Sequence, residues 1–398
     1  MKWEYKTLDQ LGTVSRGKSK HRPRNDPKLF GGKYPFIQTA DVKNADYYIT
    51  KYSDTYNESG LAQSKLWDKG TLCITIAANI ADTGVLAFPA CFPDSIMGFV
   101  PFEGVANTRF IKYCFDRLQR DCKQISQGTA QDNLSWEKLS TIKFCIPEYK
   151  EQCRIADILS AYDDLIENNQ KQIKLLEEAA QRLYKEWFVD LRFPGHENTK
   201  IVDGVPEGWS KSTVSEVSAV LRRGISPKYN EKARGIVINQ KCIRQTIVSY
   251  DEARTQEKKY PAELEMMESD IVICSTGAGT LGRVGQIFEA KENVTLDSHV
   301  TLIRANEKIG QQSLFWSLKM KQDYLMNAGK GSTNQLELSR ETIGNCKILI
   351  PEQKIAEQAE KKLVTIHNKM KECSMQIARL REARDLLLPK LMSGEVEV

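Results

Sequence analysis

The fold is decided by the stretch LSAYDDLIENNQKQIKLLEEAAQRLYKEW, residues 159–187. Apolar side chains, with one asparagine among them, recur there in alternating steps of three and four, and charged residues fill most other positions. The positions that share this spacing are Leu159, Tyr162, Ile166, Asn169, Ile173, Leu176, Ala180, Leu183 and Trp187. A sustained pattern of this kind is typical of a helix that packs its seam against another helix. We therefore predict a long helix over 151–192, closed by the Phe-Pro-Gly at 193–195.

A second seam with the same spacing lies about 204 residues further along the chain. Its positions are Leu363, Ile366, Met370, Cys373, Ile377, Leu380, Arg384 and Leu387. The spacing predicts a second long helix over 352–388, ended by Pro389. Two matching seams favour an antiparallel coiled coil, in which Asn169 would weaken packing but define the register. The alternative is that each helix packs only on its own domain.

The remainder of the chain repeats itself at nearly the same offset. Trp3 and the dipeptide Arg16-Gly17 have counterparts in Trp209 and Arg223-Gly224, with apolar residues similarly placed between them. The strand-like IKFCIP at 142–147 likewise corresponds to CKILIP at 346–351. Because these matches keep their order along the chain, we predict two halves of similar fold.

Each half contains signals for both strands and helices. Strands are predicted at residues 72–76, 271–274 and 300–303, and helices at 109–123 and 312–327. The predicted fold class is therefore α+β, with two pseudo-symmetric α/β globular domains separated by an antiparallel two-helix coiled coil. The predicted segments are a first domain 1–150, the first helix 151–192, a linker 193–208, a second domain 209–351, the second helix 352–388 and a C-terminal tail 389–398.

Composition narrows the function classes. The 57 Lys and Arg against 52 Asp and Glu leave a net charge of +5, so any affinity for nucleic acid must come from local basic patches. The N-terminus carries no apolar leader, and Asp, Gly and Pro interrupt the most apolar stretch, residues 71–102. We therefore expect a cytoplasmic protein with no membrane segment. The ten cysteines form no C-x-x-C pair and the four histidines stand apart, so reduced thiols and no metal site are expected.

Two motifs typical of nucleotide binding occur without their structural setting. GTVSRGKS at 12–19 fits the P-loop pattern, but no buried strand precedes it and two prolines follow it. GAGTLG at 277–282 fits the G-x-G-x-x-G pattern, but an alternating, strand-like run follows, which predicts a hairpin turn. The catalytic signatures of DNA methyltransferases, nucleases and serine hydrolases were not found in the sequence. The chain is therefore predicted to be non-catalytic.

Basic residues cluster at equivalent places in both halves. Six lie between residues 16 and 28 against one acid, and six between 211 and 234 against two acids. The glycine-bounded loops GTAQ at 128–131 and GSTNQ at 331–335 carry hydroxyl and amide groups, which can read base edges, whereas basic loops suit phosphates. The candidate DNA-binding residues are Arg16, Lys18, Lys20, Arg22, Arg24, Thr129, Gln131, Arg222, Arg223, Lys228, Thr333, Asn334 and Gln335. The alternatives are solvated basic loops and turns that bond their own backbone.

Several segments resemble the specificity subunits of type I restriction–modification systems. RIADILS at 154–160 and LYKEWFVDLRFPGHE at 183–197 are similar to the central region of that family. PEGW at 206–209 and LLPKLMSGE at 387–395 are similar to further parts of it, and the GTAQ and GSTNQ loops to its G-[ST]-x-Q element, with one inserted residue in the second copy. The resemblance covers the whole chain and its repeat.

The resemblance implies two target-recognition domains, each reading one half of a split site on double-stranded DNA. It implies that the helices dock two modification subunits, which use S-adenosylmethionine to methylate a flipped adenine. Restriction subunits that require ATP and Mg would join for cleavage, and this chain would bind no cofactor itself. From the residues alone, a P-loop nucleotide-binding enzyme and a coiled-coil adaptor without DNA specificity remain open.

Overall fold

Two units of α+β structure make up the chain, and each takes a part of both long helices. Unit 1 comprises residues 1–168 and 376–398, and unit 2 comprises residues 169–375. The computed structural model describes residues 3–76, 82–125, 136–277, 279–329 and 336–398, without the side chains of 121–125 and 136.

Unit 1 contains nine described strands and the first helices. The strands are β1 (Glu4–Lys6), β2 (Gly12–Arg16), β3 (Phe30–Phe36), β4 (Tyr48–Ile49), β5 (Asp54–Tyr56), β6 (Leu72–Thr75), β7 (Thr83–Leu86), β8 (Ile96–Pro101) and β9 (Phe144–Ile146). The helices are α1 (Leu8–Leu11), α2 (Thr39–Lys43), α3 (Glu58–Ala62), α4 (Thr108–Ile125), α5 (Trp136–Thr141) and the start of α6 (Tyr149–Tyr184).

A five-stranded sheet of order β2-β8-β6-β7-β4 forms the centre of unit 1. Its neighbours are antiparallel except for the β4–β7 pair, and Leu72 lies opposite Phe99 in the β6–β8 register. β1 pairs with β9, and β3 pairs with β5. The core of the unit includes Leu72, Phe99 and Phe110, all fully buried, because the apolar face of α4 covers the sheet.

Unit 2 repeats this arrangement. Its strands are β10 (Ile201–Val202), β11 (Val205–Pro206), β12 (Ser210–Thr213), β13 (Ser218–Arg223), β14 (Gly235–Ile238), β15 (Arg254–Gln256), β16 (Ile271–Cys274), β17 (Val284–Gln286), β18 (Val294–Leu296), β19 (Val300–Ala305) and β20 (Lys347–Ile350). Its helices are α7 (Gln311–Met320), α8 (Gln322–Asn327), α9 (Arg340–Gly344) and most of α10 (Gln353–Ser393).

The central sheet of unit 2 has the order β13-β19-β16-β17, and these four strands correspond one by one to β2-β8-β6-β7 of unit 1. The pair β12–β20 likewise corresponds to β1–β9. The Arg-Gly dipeptides lie at the same point in both units: the Gly17 amide donates to Ile96 O at 2.8 Å, and the Gly224 amide donates to Val300 O at 3.1 Å. The predicted duplication, the three predicted strands and the predicted helix over 109–123 are therefore confirmed, whereas the helix predicted over 312–327 is divided at Lys321 into α7 and α8.

The two long helices run antiparallel within each unit. In unit 1, Leu159 of α6 shares a core with Leu391 of α10, and Asp163 further along α6 pairs with Arg384 earlier on α10. In unit 2, the Cys373 Sγ atom lies 3.9 Å from Gln172 Oε1, and Tyr184 shares a core with Leu363. Residue numbers that rise on α6 thus meet numbers that fall on α10, so the predicted fold class is confirmed.

The predicted seam positions are all buried or half-buried. Leu159, Ile166, Asn169, Leu363, Met370 and Ile377 are buried, and Tyr162, Ile173, Leu176, Leu183, Ile366, Leu380 and Leu387 are half-buried. Their burial follows from the alternating spacing, which keeps one stripe of each helix against its neighbour.

The prediction that Pro389 ends the second helix is wrong, because α10 continues through it to Ser393. Proline lacks the N–H that would bond the carbonyl of Asp385 one turn earlier. Arg120 replaces that donor, since its Nη1 lies 3.0 Å from Asp385 O. A tertiary hydrogen bond therefore lets the helix pass the proline.

The first helix also ends earlier than the predicted residue 192. Regular α-helix stops at Tyr184, and the π-helical turn Lys185–Val189 follows. Leu191 then adopts a positive φ of 56°. Aromatic packing holds this segment in place: the Phe193 and Trp209 rings lie 4.7 Å apart, as do those of Tyr184 and Phe188.

Neither nucleotide motif folds as a nucleotide site. Residues 12–16 are strand β2 itself, and residues 277–282 connect the antiparallel strands β16 and β17, as predicted for a hairpin. Every described cysteine side chain is a free thiol. Across the described residues, no cluster of His, Cys, Asp or Glu could hold a metal ion, and no helix is long and apolar enough to cross a membrane.

Candidate nucleic-acid interface

The basic segment that follows β2 is held against unit 1 through its backbone. The Lys18 amide donates to Phe92 O at 3.0 Å, and its carbonyl accepts from the Ser64 hydroxyl at 2.7 Å. Gly17 permits this approach, since a Cβ there would lie 2.3 Å from the carbonyl oxygens of Phe92 and Pro93. The loop is therefore fixed in position while its long side chains remain at the surface.

The predicted cations of this segment fall into two groups. Arg24 forms an ion pair with Asp94 in which its Nη2 lies 2.6 and 2.8 Å from the two carboxylate oxygens, and Arg22 donates to the Ser19 carbonyl at 2.7 Å. Arg16, Lys18 and Lys20 are exposed, and no ion pair involves them within the described residues. These three side chains are the ones available for phosphate contacts.

The predicted cations of unit 2 are paired with acids. Arg222 pairs with Glu263 and Lys228 with Glu257, whereas Arg223 pairs with Glu337 at 2.7 Å and donates to Leu338 O at 3.0 Å. Each of these acids neutralises a positive charge that was predicted from the sequence to be available to DNA. The hydrogen bond from Lys228 raises its pKa and lowers that of Glu257, so both groups are charged near neutral pH.

The predicted base-reading loops lie outside the described residues, and with them Thr129, Gln131, Thr333, Asn334 and Gln335. The described residues that follow the second loop are anchored to the β16–β17 hairpin. Glu337 forms a bridge with Thr276, and the Leu338 amide donates to Ser275 O at 2.8 Å.

A polar cleft of about 470 Å³ opens beside that hairpin in unit 2. It is lined by Gln240, Lys241, Arg244, Thr280 and Arg283. Asn239 positions the first of these segments, because its side chain accepts from the Lys241 amide at 2.8 Å and caps a short 3₁₀ turn. These residues were not predicted from the sequence, because they come from two segments that are distant along the chain. The signal in the sequence that could have indicated them is the run of polar residues that follows β14.

The duplicated α+β units, their surface cations and their paired long helices define a class of protein with two repeated domains and two long antiparallel helices. The family model described as "Type I restriction modification DNA specificity domain" matches residues 1–178 and again residues 206–372. The chain belongs to this family and is a specificity subunit of a type I restriction–modification system.

Individual relatives agree with this assignment. The chain is 27% identical over 421 residues to the type I restriction enzyme MjaIX specificity subunit of Methanocaldococcus jannaschii, covering 100% of this chain and 94% of that protein. It is 26% identical to the HindI specificity subunit of Haemophilus influenzae, covering 66% and 71%. The crystal structure of the type I S subunit from M. genitalium has the same fold, with a TM-score of 0.58 and 18% identity over 98% of this chain and 96% of that one.

Family membership assigns the chain a specificity role and not a catalytic one, since catalysis in such systems belongs to partner subunits. The P-loop enzyme is not favoured, because residues 12–16 form a sheet strand instead of a phosphate-binding loop. The match of each half to a DNA specificity domain argues against an adaptor without DNA specificity.

Proposed function

We propose that this specificity subunit recognises a bipartite site on double-stranded DNA, and that each unit reads one half-site. The observation that carries the proposal is the duplication: both units contain the same strand order and the same Arg-Gly strand end. One domain repeated within a chain can contact two separate short sequences on one duplex.

The long helices are proposed to set the gap between the half-sites and to dock two modification subunits. Outside the seam, Leu165 and Leu386 in unit 1 are 51% and 64% exposed, and Leu175 and Val364 in unit 2 are 64% and 36% exposed. Apolar side chains exposed on both units support docking, since such surfaces often mark interfaces. Their presence in each unit supports a stoichiometry of two.

The reactions are proposed to reside on the partners. Modification subunits would supply S-adenosylmethionine chemistry for adenine methylation, and restriction subunits would supply ATP- and Mg-dependent cleavage. This chain would bind none of these cofactors. The complex would act in the cytoplasm, where the DNA it modifies is located.

Methylation mapping in cells that express this chain with its modification subunits tests the proposal. The expected result is one methylated bipartite motif with a fixed gap. Replacing residues 1–150 by the corresponding segment of a relative should change one half of the motif and leave the other half and the gap intact. A single contiguous motif, or a change in both halves, would refute the modular reading.

A further inference from the structure

Three side chains beside the cleft of unit 2 form a hydrogen-bonded relay. Gln240 Nε2 donates to the Thr276 carbonyl at 2.9 Å and to Thr276 Oγ1 at 2.5 Å. Thr276 Oγ1 in turn lies 2.7 Å from Nδ1 of His299, an exposed residue. The His299 backbone is anchored on both sides, since its amide donates to Asp297 Oδ1 at 2.9 Å and its carbonyl accepts from the Ser275 amide at 2.7 Å.

The relay fixes the orientation of the Gln240 side chain and defines the partner of one nitrogen of His299. A backbone carbonyl can only accept, so the amide nitrogen of Gln240 must face Thr276, and its Oε1 has no donor among the described residues. The Thr276 hydroxyl accepts from Gln240 and still has its one hydrogen to donate to His299 Nδ1. In the His299 tautomer that accepts this hydrogen bond on Nδ1, the ring proton is on Nε2, which makes that nitrogen a donor.

Gly277 makes room for the glutamine. A Cβ at this position would lie 2.9 Å from Gln240 Oε1, and its φ of +100° is one that other residues rarely adopt. The G-x-G-x-x-G string therefore has a structural role here as a hairpin that seats Gln240.

Three cations line the cleft, and they are more available than the cations predicted for unit 2. Arg222, Arg223 and Lys228 are ion-paired, as described above. Arg244 has a 64% exposed side chain and lies 3.8 Å from its nearest acid, and Lys241 is exposed. Arg283 is oriented by a hydrogen bond from its Nη2 to Gly279 O at 2.6 Å.

We infer that this cleft, together with Thr276 and His299 that Gln240 joins to its edge, is the base-reading site of unit 2. Gln240 Oε1 and His299 Nε2–H, oriented by Thr276, read the major-groove edge of an adenine, and Lys241, Arg244 and Arg283 hold the flanking phosphates. Adenine presents an N6 donor beside an N7 acceptor, which matches one acceptor and one donor on the protein. Thr276 is a positioning residue, since it acts through its two neighbours. The inference rests on the proposed function, because it assigns residues to one of the two half-sites.

Selection of random-sequence duplex DNA by the full chain tests the inference, with Thr276→Val against Thr276→Ser. Valine has nearly the same shape as threonine but removes the hydroxyl, whereas serine keeps it. Thr276→Val should reduce the preference for A·T at one position of one half-site by on the order of 10-fold or more, the scale of one good base contact. Thr276→Ser should retain the preference.

Arg244→Ala separates phosphate contacts from base reading. It should weaken binding to all sequences and lower the salt dependence, the slope of log K against log salt, by about 1. Arg340→Ala, an exposed arginine of the same unit outside the cleft, should leave both unchanged.

The outcomes distinguish this inference from the proposed function. If the wild-type chain selects no bipartite motif, the proposed function fails. If it selects one and Thr276→Val leaves both half-sites unchanged, or relaxes a G·C position, the assignment of the cleft fails alone. Complete loss of one half-site in Thr276→Val would indicate misfolding of unit 2. In that case the comparison of Arg244→Ala with Arg340→Ala decides, because equal effects of the two variants on binding would reject the cleft as the DNA contact.

Discussion

Removal of the Arg384 side chain should strongly destabilise unit 1. The carboxylate of Asp163, on the facing helix, is 3% exposed; it accepts from the Tyr113 hydroxyl at 2.5 Å and pairs with the Arg384 guanidinium. Arg384→Ala leaves this buried carboxylate with one hydrogen bond and no counterion. Breaking a buried pair in this way costs about 3–5 kcal/mol.

The penalty should depend on pH. Burial already raises the pKa of Asp163 above its usual value, although Arg384 and Tyr113 oppose that shift. Without Arg384 the folded-state pKa rises further, so the folded protein retains a proton that the unfolded chain releases. Stability therefore falls as pH increases through this interval, and the destabilisation of Arg384→Ala should be smaller at pH 5 than at pH 8.

Calorimetric melting of the full chain at pH 5 and pH 8 measures both effects. A loss of 3–5 kcal/mol lowers the melting temperature of a domain of this size by roughly 6–20 °C. Arg381→Ala is the matched control, because its pair with Asp46 is about half exposed and is worth about 1 kcal/mol or less. The double variant Asp163→Asn with Arg384→Met should recover much of the loss. If Arg384→Ala melts within about 2 °C of wild type at pH 8, the buried-pair reasoning is wrong.

Three further predictions concern packing and capping. Gly17→Ala and Gly224→Ala should each cost about 1–3 kcal/mol, because the added Cβ atoms would lie 2.3 and 2.0 Å from carbonyl oxygens; unchanged urea midpoints would contradict this. Arg120→Ala should destabilise the wild type by about 1 kcal/mol more than it destabilises the Pro389→Ala variant, because in that variant the restored backbone N–H at position 389 bonds the Asp385 carbonyl. A double-mutant cycle that shows no coupling would refute the idea that Arg120 takes the place of the missing N–H. Glu360→Ala should cost about 1–2 kcal/mol, because its carboxylate accepts two backbone amides, both at 2.9 Å, at the start of α7; faster amide exchange there is the expected signature.

Periodicity and repetition were readable from the sequence because each depends on spacing along the chain. The alternation of three and four residues from Leu159 onwards places one stripe of side chains on one helix face whatever lies opposite. The duplication was readable because the same local signals, such as Arg16-Gly17 and Arg223-Gly224, recur in order. The hairpin at 277–282 was likewise predictable, since the alternation after it is that of a strand.

The sequence by itself therefore determined the duplicated α+β architecture, the long helices and the family. Only the tertiary structure decided that Arg222 is neutralised by Glu263, that Arg120 lets a helix continue through Pro389, and that Gln240 meets His299 through Thr276. The physical reason is the distance along the chain between the residues that interact. Helix and strand patterns depend on neighbours a few residues apart, whereas an ion pair, a replaced hydrogen bond or a reading site joins side chains that only the folded chain brings within about 3 Å of each other.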